Sequence, residues 1–345
     1  MNVVYVMPLH FDDDSSIIGG GDRYAYGLAK AMAKKAETVL ITFSDKNVTR
    51  LDDEVTIRYY KTLFCVGNIA NPFSLGFLKY LKDADVIHCL QFRTIVTELS
   101  ILYGALMKKK VFVTDLAGGT IFTLSSLLPV WRGVQAFLLI SEYNRKLQPN
   151  LPVKTHIISG GVDQNLFCPG NEPRKKGLLY VGRIFPLKGI HDLIEALPGE
   201  VSLDVVGTSH DDAYIGRLKA ISAGKKVRFH HGMSDGELIQ KYQESLAVVL
   251  PSLVDGGFTT AMESLACGTP VIGTKVGSLP EIVDDGVTGL LVPPGDVGAL
   301  GAKINWLIEH PERAREMGMR GREKILEVFT WDRVVDRCLA AYRAD

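Results

Sequence analysis

"LAVVLPSLVDGGFTTAMESLACGTPVIGT", Leu246–Thr274, holds two short apolar runs separated by a turn and a helical stretch. The runs "LAVVL" and "TPVIGT" are uninterrupted and rich in β-branched residues, as strands covered on both faces require. Asp255-Gly256-Gly257 reads as the turn, and a helix follows it. Strand, turn, helix and strand in that order make a βαβ unit, which can close only as a parallel pair.

The same alternation runs outward in both directions. Upstream, "VVYVM" leads to the helical "RYAYGLAKAMAKK" and then "TVLITF", and "DVIHCL" leads to "ELSILYGALMKKK" and "VFVTD". This first series ends near Ile158. The stretch "GGVDQNLFCPGNEPRKKG" is rich in Gly, Pro, Asn and charge and reads as a linker. A second series follows in "GLLYVGR", "VSLDVVG", "KVRFHHG", "LAVVLPS" and "TPVIGT", and the chain closes in helices. The expected fold is α/β, with two Rossmann-like doubly wound parallel-sheet domains facing each other across a ligand cleft. The expected boundaries are 1–164 and 165–329, with a C-terminal helix at 330–345 packing back on the first domain.

At 345 residues the chain is long enough for two such cores. The 39 basic residues balance 39 acidic ones, which argues against a nucleic-acid partner. No apolar run reaches the length of a membrane span, and the start "VVYVMPL" does not read as an export leader. The five cysteines (Cys65, Cys89, Cys168, Cys267 and Cys338) show no paired spacing, so buried thiols in a cytoplasmic protein are expected. Peripheral contact with a membrane surface stays open.

Several motifs carry chemistry beside a plainer reading. "SIIGGGDRYAYGLAKAM" fails the dinucleotide fingerprint, because the sixth position counted from Gly19 is Tyr24 and a long loop follows a strand ending near Met7. It reads either as a loop with Asp22 capping the next helix or as glycine amides meeting an anion at a helix start. Asp12-Asp13-Asp14 sits in that loop and reads as solvated charge rather than as a metal site. In "LLYVGRIFPLKG", Arg183 and Lys188 bracket a loop at a strand end, where two cations can neutralise a diphosphate.

In the opening stretch, Thr260-x-x-Glu263 fits a capping box, which would fully explain Glu263 as a structural residue. It leaves Asp255 and the paired glycines unexplained, and the amides of Gly257 to Thr260 would suit an anionic or hydroxyl-rich ligand. None of the eight histidines has metal spacing. His88, at a strand end, reads either as facing the cleft or as a hydrogen-bonded core residue. Cys267 reads as buried on its helix, and no nucleophile motif occurs.

Taken together, these blocks resemble the GT-B glycosyltransferases of family 4 (glycosyl transferases group 1), the retaining, nucleotide-sugar-dependent type. "YVGRIFPLKG", "VRFHHGMSDGELIQKY" and "PSLVDGGFTTAMESLACGTPVIGTKVGSLPEIVDDGVTGLLVPPGD" carry it most strongly. "GGGDRYAYGLAKAM", "LLISEYNRKL" and "ISGGVDQNLFCPG" add to it. The resemblance implies that Asp255 contacts the donor sugar and that Glu263 binds ribose hydroxyls. Arg183 and Lys188 match the pair that holds the diphosphate, and Gly207 and Met233 match loops around the base. Gly257, Phe258, Thr259 and Thr260 match the segment whose amides meet sugar and phosphate, and Gly19 and Gly20 match the loop near phosphate and acceptor.

The chain departs from the family in two places. The first acid is usually Glu and the following Gly-Phe-Gly is here Gly256-Gly257-Phe258. Where many members have a histidine after the strand "VFVTDLAGG", this chain has Asp115 and Leu116.

The reaction that the resemblance implies is transfer of a sugar from a UDP- or GDP-sugar to an acceptor hydroxyl with retained configuration. Attack is from the front face, and the leaving phosphate takes the acceptor's proton. Asp255, Asp115, Arg183 and Lys188 are the expected catalytic set, with no cofactor and no metal. The acceptor could be a glycan, a glycolipid or a small molecule, as in polysaccharide or glycolipid synthesis. A nucleotide-sugar epimerase of the same architecture, or a nucleotide-sugar binding protein with weak catalysis, stands as the alternative.

Overall fold

The computed structural model describes the chain except residues 11–19, 53, 68–70, 117–127, 148–152, 172–176, 210, 255–257 and 345. It divides into two units, Met1–Gly161 with Trp331–Asp345, and Val162–Thr330.

The first unit contains β1 (Asn2–His10), β2 (Glu37–Ser44), β3 (Val48–Asp52) and β4 (Val55–Lys61), then a short hairpin of β5 (Phe64–Cys65) and β6 (Pro72–Phe73). β7 (Val86–Cys89), β8 (Lys110–Val113), β9 (Ala136–Leu139) and β10 (Lys154–Ile157) follow. Its helices are α1 (Gly20–Ala33), α2 (Ile95–Met107) and α3 (Glu142–Leu147). The main sheet has the order β10-β9-β8-β7-β1-β2-β4-β3, parallel throughout except for β3 against β4. Strand order reverses between β1 and β7.

β1 shows why this sheet is covered on both faces. Val3, Tyr5 and Met7 enter one core with α1, while Val4 and Val6 enter the other, as the two-residue strand period requires. Helix α1 answers with a stripe of Tyr24, Ala25, Leu28, Ala29 and Met32, all buried.

The second unit is a six-stranded parallel sheet. Its strands are β11 (Leu178–Val181), β12 (Ser202–Val206), β13 (Lys226–His230), β14 (Ala247–Leu250), β15 (Val271–Thr274) and β16 (Gly289–Val292). The order is β13-β12-β11-β14-β15-β16, so the switch point lies between β11 and β14. Helices α4 (Ile190–Ala196), α5 (Asp212–Ile221), α6 (Asp235–Glu244) and α7 (Phe258–Ala266) come first, then α8 (Leu279–Ile282), α9 (Val297–Glu309) and α10 (Pro311–Val328). Both units therefore have the α/β parallel-sheet class expected from the alternating runs.

The last helix, α11 (Trp331–Ala344), belongs to the first unit. Trp331 lies against Gly27 and Gly161, where any Cβ would overlap the indole ring. Val334, Val335, Cys338 and Tyr342 enter the α1 core. Tyr342 closes a buried polar network: its hydroxyl bonds His88 Nδ1 at 2.7 Å, and His88 Nε2 bonds Thr114 Oγ1 at 2.7 Å. His88 is thus the core histidine of the two readings. Burial pushes it down to about 3, so the ring is neutral, one nitrogen donating and the other accepting.

Four expectations from the sequence need correction here. β1 runs on to His10 rather than ending near Met7, and Asp22 lies inside the first turn of α1 rather than ahead of it. The glycine-rich linker begins as packed structure: Val162 pairs with Thr330, and Phe167 is buried in the second unit's core. Of the five thiols, Cys89, Cys267 and Cys338 are buried, Cys168 is half-buried and Cys65 is exposed. Among the described residues no helix is long and apolar enough to cross a membrane.

Candidate functional site

Open parallel sheets bind ligands beyond their carboxyl ends at the point where strand order reverses. In the second unit that point is the gap between the ends of β11 and β14. After β11 the chain turns at Gly182, and Tyr180 donates its hydroxyl to the Arg183 carbonyl at 2.8 Å. Ile184 is buried, while Arg183 is exposed and Lys188 half-buried. Both cations lie over one ring: Arg183 Cζ is 5.1 Å and Lys188 Nζ 5.7 Å from the Phe185 centroid. The electron-rich ring face offsets part of the repulsion between two like charges. Nothing in the sequence reading singled out Phe185.

Backbone contacts fix this loop. Leu253 N–H donates to the Leu187 carbonyl at 2.9 Å, which ties it to the segment after β14. Gly189 has φ +64°, and a Cβ there would overlap the Pro251 carbonyl oxygen. Only glycine meets both conditions. On the other side a Cβ at Gly207 would overlap the Gly182 carbonyl oxygen. The ends of β11 and β12 are also tied by Gly182 N–H to Val206 O at 3.0 Å and Ile184 N–H to Thr208 O at 2.8 Å. Gly207 is thus placed beside the Arg183 loop for a backbone reason. Its carbonyl also bonds His231 Nδ1 at 3.0 Å.

Helix α7 corrects the capping-box reading. The helix covers Phe258–Ala266, so Thr260 sits within its first turn and cannot be the N-cap. Thr260 Oγ1 points instead to the Val181 carbonyl of β11, at 3.4 Å. Glu263 is buried, and its Oε2 accepts the Tyr242 hydroxyl at 2.7 Å. Tyr242 is itself fully buried, and its carbonyl accepts Thr269 Oγ1 at 2.6 Å. Glu263 is therefore held by tertiary hydrogen bonding, not by a local cap. The capping box in this region is at Ser234 and Glu237, opening α6. Phe258, Thr259 and Thr260 are half-buried at the start of α7, where unsatisfied amides and the helix dipole favour an anion.

Met233, directly before that box, is half-buried against the core that also contains α7. On β12, beside the edge strand β13, Asp204 receives Arg228 Nε at 2.9 Å, His230 Nε2 at 2.7 Å and Lys241 Nζ at 2.9 Å. Burial alone would raise this carboxyl, but hydrogen bonds from Arg228, Lys241 and His230 outweigh it and hold it at about 2. The cluster ties β13 and α6 to β12.

In the first unit Asp115 follows β8, buried, and accepts Gln91 Nε2 at 2.9 Å. Gly20 is exposed at the start of α1. Asp255, Gly257 and Gly19, together with Asp12-Asp13-Asp14, lie outside the described residues. Arg183, Lys188, Gly207, Met233, Phe258 to Thr260 and Glu263 thus belong to the second unit, and Asp115 and Gly20 to the first.

Comparison with known proteins bears on the family and the fold. Residues 163–324 match the family model described as "Glycosyl transferases group 1". The chain is 32% identical over 199 residues to the MMP alpha-(1->4)-mannosyltransferase of Mycolicibacterium hassiacum, covering 55% of this chain and 48% of that protein. It is 32% identical over 215 residues to the D-inositol 3-phosphate glycosyltransferase of Segniliparus rotundus, covering 56% and 47%. The matched part thus spans about half the length of these curated relatives.

Two solved structures share the fold over nearly the whole chain. Sucrose-phosphate synthase from Thermosynechococcus elongatus has a TM-score of 0.77 at 21% identity, covering 99% of this chain and 98% of that one. Anabaena Alr3699/HepE, in complex with UDP and glucose, has a TM-score of 0.76 at 17% identity, covering 100% of both. The GT-B architecture expected from the sequence is the fold of these structures. The match to the glycosyl transferases group 1 family model, residues 163–324, lies within the second unit.

Proposed function

We propose that this protein transfers a sugar from a nucleotide diphosphate sugar to an acceptor hydroxyl with retention of configuration. The observation that carries this reading is the Arg183–Phe185–Lys188 arrangement at the switch point, tied by Leu187 and Gly189 to the segment that leads into α7. Breaking the bond between sugar and diphosphate builds negative charge on the leaving group. Two cations and the amides of Phe258, Thr259 and Thr260 stabilise that charge, and preorganised groups do so without reorganising at the moment of reaction. With protein cations in that role, the reading requires no cofactor or metal.

Glu263, fixed by Tyr242, accepts hydroxyls of the donor's ribose, and the Gly207 and Met233 loops enclose the base. Asp255, Gly257 and Gly19 take the sugar- and phosphate-side roles that the family resemblance implies. Asp115, held by Gln91, orients the transferred sugar in place of the family's histidine. A solved structure of the same fold holds UDP and glucose, which supports a nucleotide sugar as donor here. The acceptor is a glycan, glycolipid or small-molecule hydroxyl, and work on a lipid-borne acceptor would bring the protein to a membrane surface.

Incubation with UDP- and GDP-sugars over a panel of acceptors tests this reading, with the product's anomeric proton read by NMR. A new glycoside with the donor's configuration supports it. Inverted product, or an epimerised donor with no glycoside formed, contradicts it.

A further inference from the structure

A pocket of about 240 Å³ opens at the outer edge of the first unit's sheet, away from that sheet's own switch point. Residues of β3, β4 and the short 3-10 helix Gly76–Asp83 line it, among them Asn47, Thr49, Arg58, Tyr59, Lys79 and Tyr80. Arg58 and Thr49 are direct partners in the antiparallel β3–β4 register, so their side chains share a face. Arg58 Cζ stands 4.3 Å from the Tyr80 centroid, and Lys79 Nζ 5.1 Å from the same ring. This repeats the arrangement at Arg183, Phe185 and Lys188: an arginine and a lysine on one aromatic ring.

No Asp or Glu is among the described residues lining the pocket, and among the described residues neither Arg58 nor Lys79 forms an ion pair. Arg58 Nε is buried with no hydrogen-bond acceptor, and a buried donor left unsatisfied is a penalty that a bound acceptor relieves. Two cations over an aromatic platform, with the Asn47 amide and the Thr49 and Tyr59 hydroxyls alongside, suit a phosphate carrying a small hydroxylated body. The volume falls below the usual range for drug-sized ligands and is too small for a nucleotide sugar. Leu51, on β3, and Leu75, next to the lining residue Gly76 in the chain, are 75% and 50% exposed.

We propose that this pocket binds the phosphate group of a small phosphate ester, either free or as the headgroup of an anionic lipid, at a site separate from the nucleotide site. Calorimetry with glycerol 3-phosphate tests it on the full chain, as does co-sedimentation with phosphatidylcholine vesicles with and without phosphatidylglycerol. Wild-type protein is expected to bind glycerol 3-phosphate, or to bind only the vesicles containing phosphatidylglycerol. The first result identifies a free ester as ligand and the second a lipid headgroup.

Arg58→Gln combined with Lys79→Gln is expected to weaken that binding at least about tenfold, as loss of charge-assisted hydrogen bonds does. The exposed Lys79→Gln alone carries the test if the double variant melts early. Absence of binding to either probe by the wild type, or undiminished binding by Lys79→Gln and the double variant, overturns the proposal.

Discussion

Tyr242 donates its hydroxyl to Glu263 Oε2 at 2.7 Å, with both side chains buried. The two residues stand on different helices, so α6 sets the position of a carboxylate on α7. This relationship replaces the local cap expected from Thr260 and makes Glu263 testable apart from helix stability. Tyr242→Phe leaves a buried carboxylate short of one donor and is expected to cost about 1–3 kcal/mol of stability. Glu263→Gln keeps an acceptor for Tyr242, so its melting temperature should stay close to wild type while nucleoside-diphosphate affinity falls. Thermal melts and calorimetry on the two variants separate these effects.

Phe185 supports both cations of the proposed diphosphate site. Phe185→Leu keeps an apolar side chain but removes the ring face. Each cation–π contact at such a site is worth about 0.5–1 kcal/mol, so UDP binding is expected to weaken about fivefold with little change in stability. Calorimetry of UDP against this variant checks it.

Gly207 has no room for a side chain, because a Cβ would overlap the Gly182 carbonyl oxygen. Gly207→Ala must push the ends of β11 and β12 apart. The expected cost is about 3 kcal/mol of stability, in the range of backbone overpacking and strain, together with loss of UDP affinity. Denaturant unfolding measures the first and calorimetry the second.

His88 gives the first unit a pH-dependent stability. Its folded pKa, pushed down to about 3 by burial, lies below the unfolded value of about 6.5. The unfolded chain therefore binds a proton that the folded chain refuses as pH falls below about 6.5. The contribution of neutral His88 is complete above that pH and declines by about 1.4 kcal/mol per unit down to about 3. His88→Gln keeps polar atoms near Thr114 and Tyr342 but does not titrate, so its unfolding free energy should fall less steeply between pH 6.5 and 4. Asp204, held at about 2 and so depressed from its unfolded value, loses its contribution only at more acid pH. The two windows overlap only between about pH 4 and 3, so urea unfolding measured from about pH 6.5 to 4 reports His88 alone of the two.

The alternation of apolar runs and helical stretches was readable in the sequence because buried parallel strands leave little choice of residue: β14 and β15 are "AVVL" and "VIGT". The Arg183–Lys188 loop was readable as well, since cations at a strand end stand out against an apolar run. What stayed hidden depended on contacts distant along the chain. Tyr242 and Glu263 are 21 residues apart, and His88 and Tyr342 are 254 apart. No periodicity connects such pairs. Thr260 and Glu263 matched a local pattern, but the helix begins earlier and Thr260 turns to Val181. Gly207 looked like a loop glycine, and its role as the contact point of two strand ends emerged only from the fold.

The central claim is that Arg183 and Lys188 hold the diphosphate of the donor. Calorimetry of UDP binding to the wild type, Arg183→Ala, Lys188→Ala and the double variant, at fixed ionic strength, tests it most directly. Loss of charge-assisted hydrogen bonds from each cation predicts roughly tenfold weaker binding in each single variant and about a hundredfold in the double, with melting temperatures unchanged. UDP affinity equal to wild type in the double variant would contradict the claim.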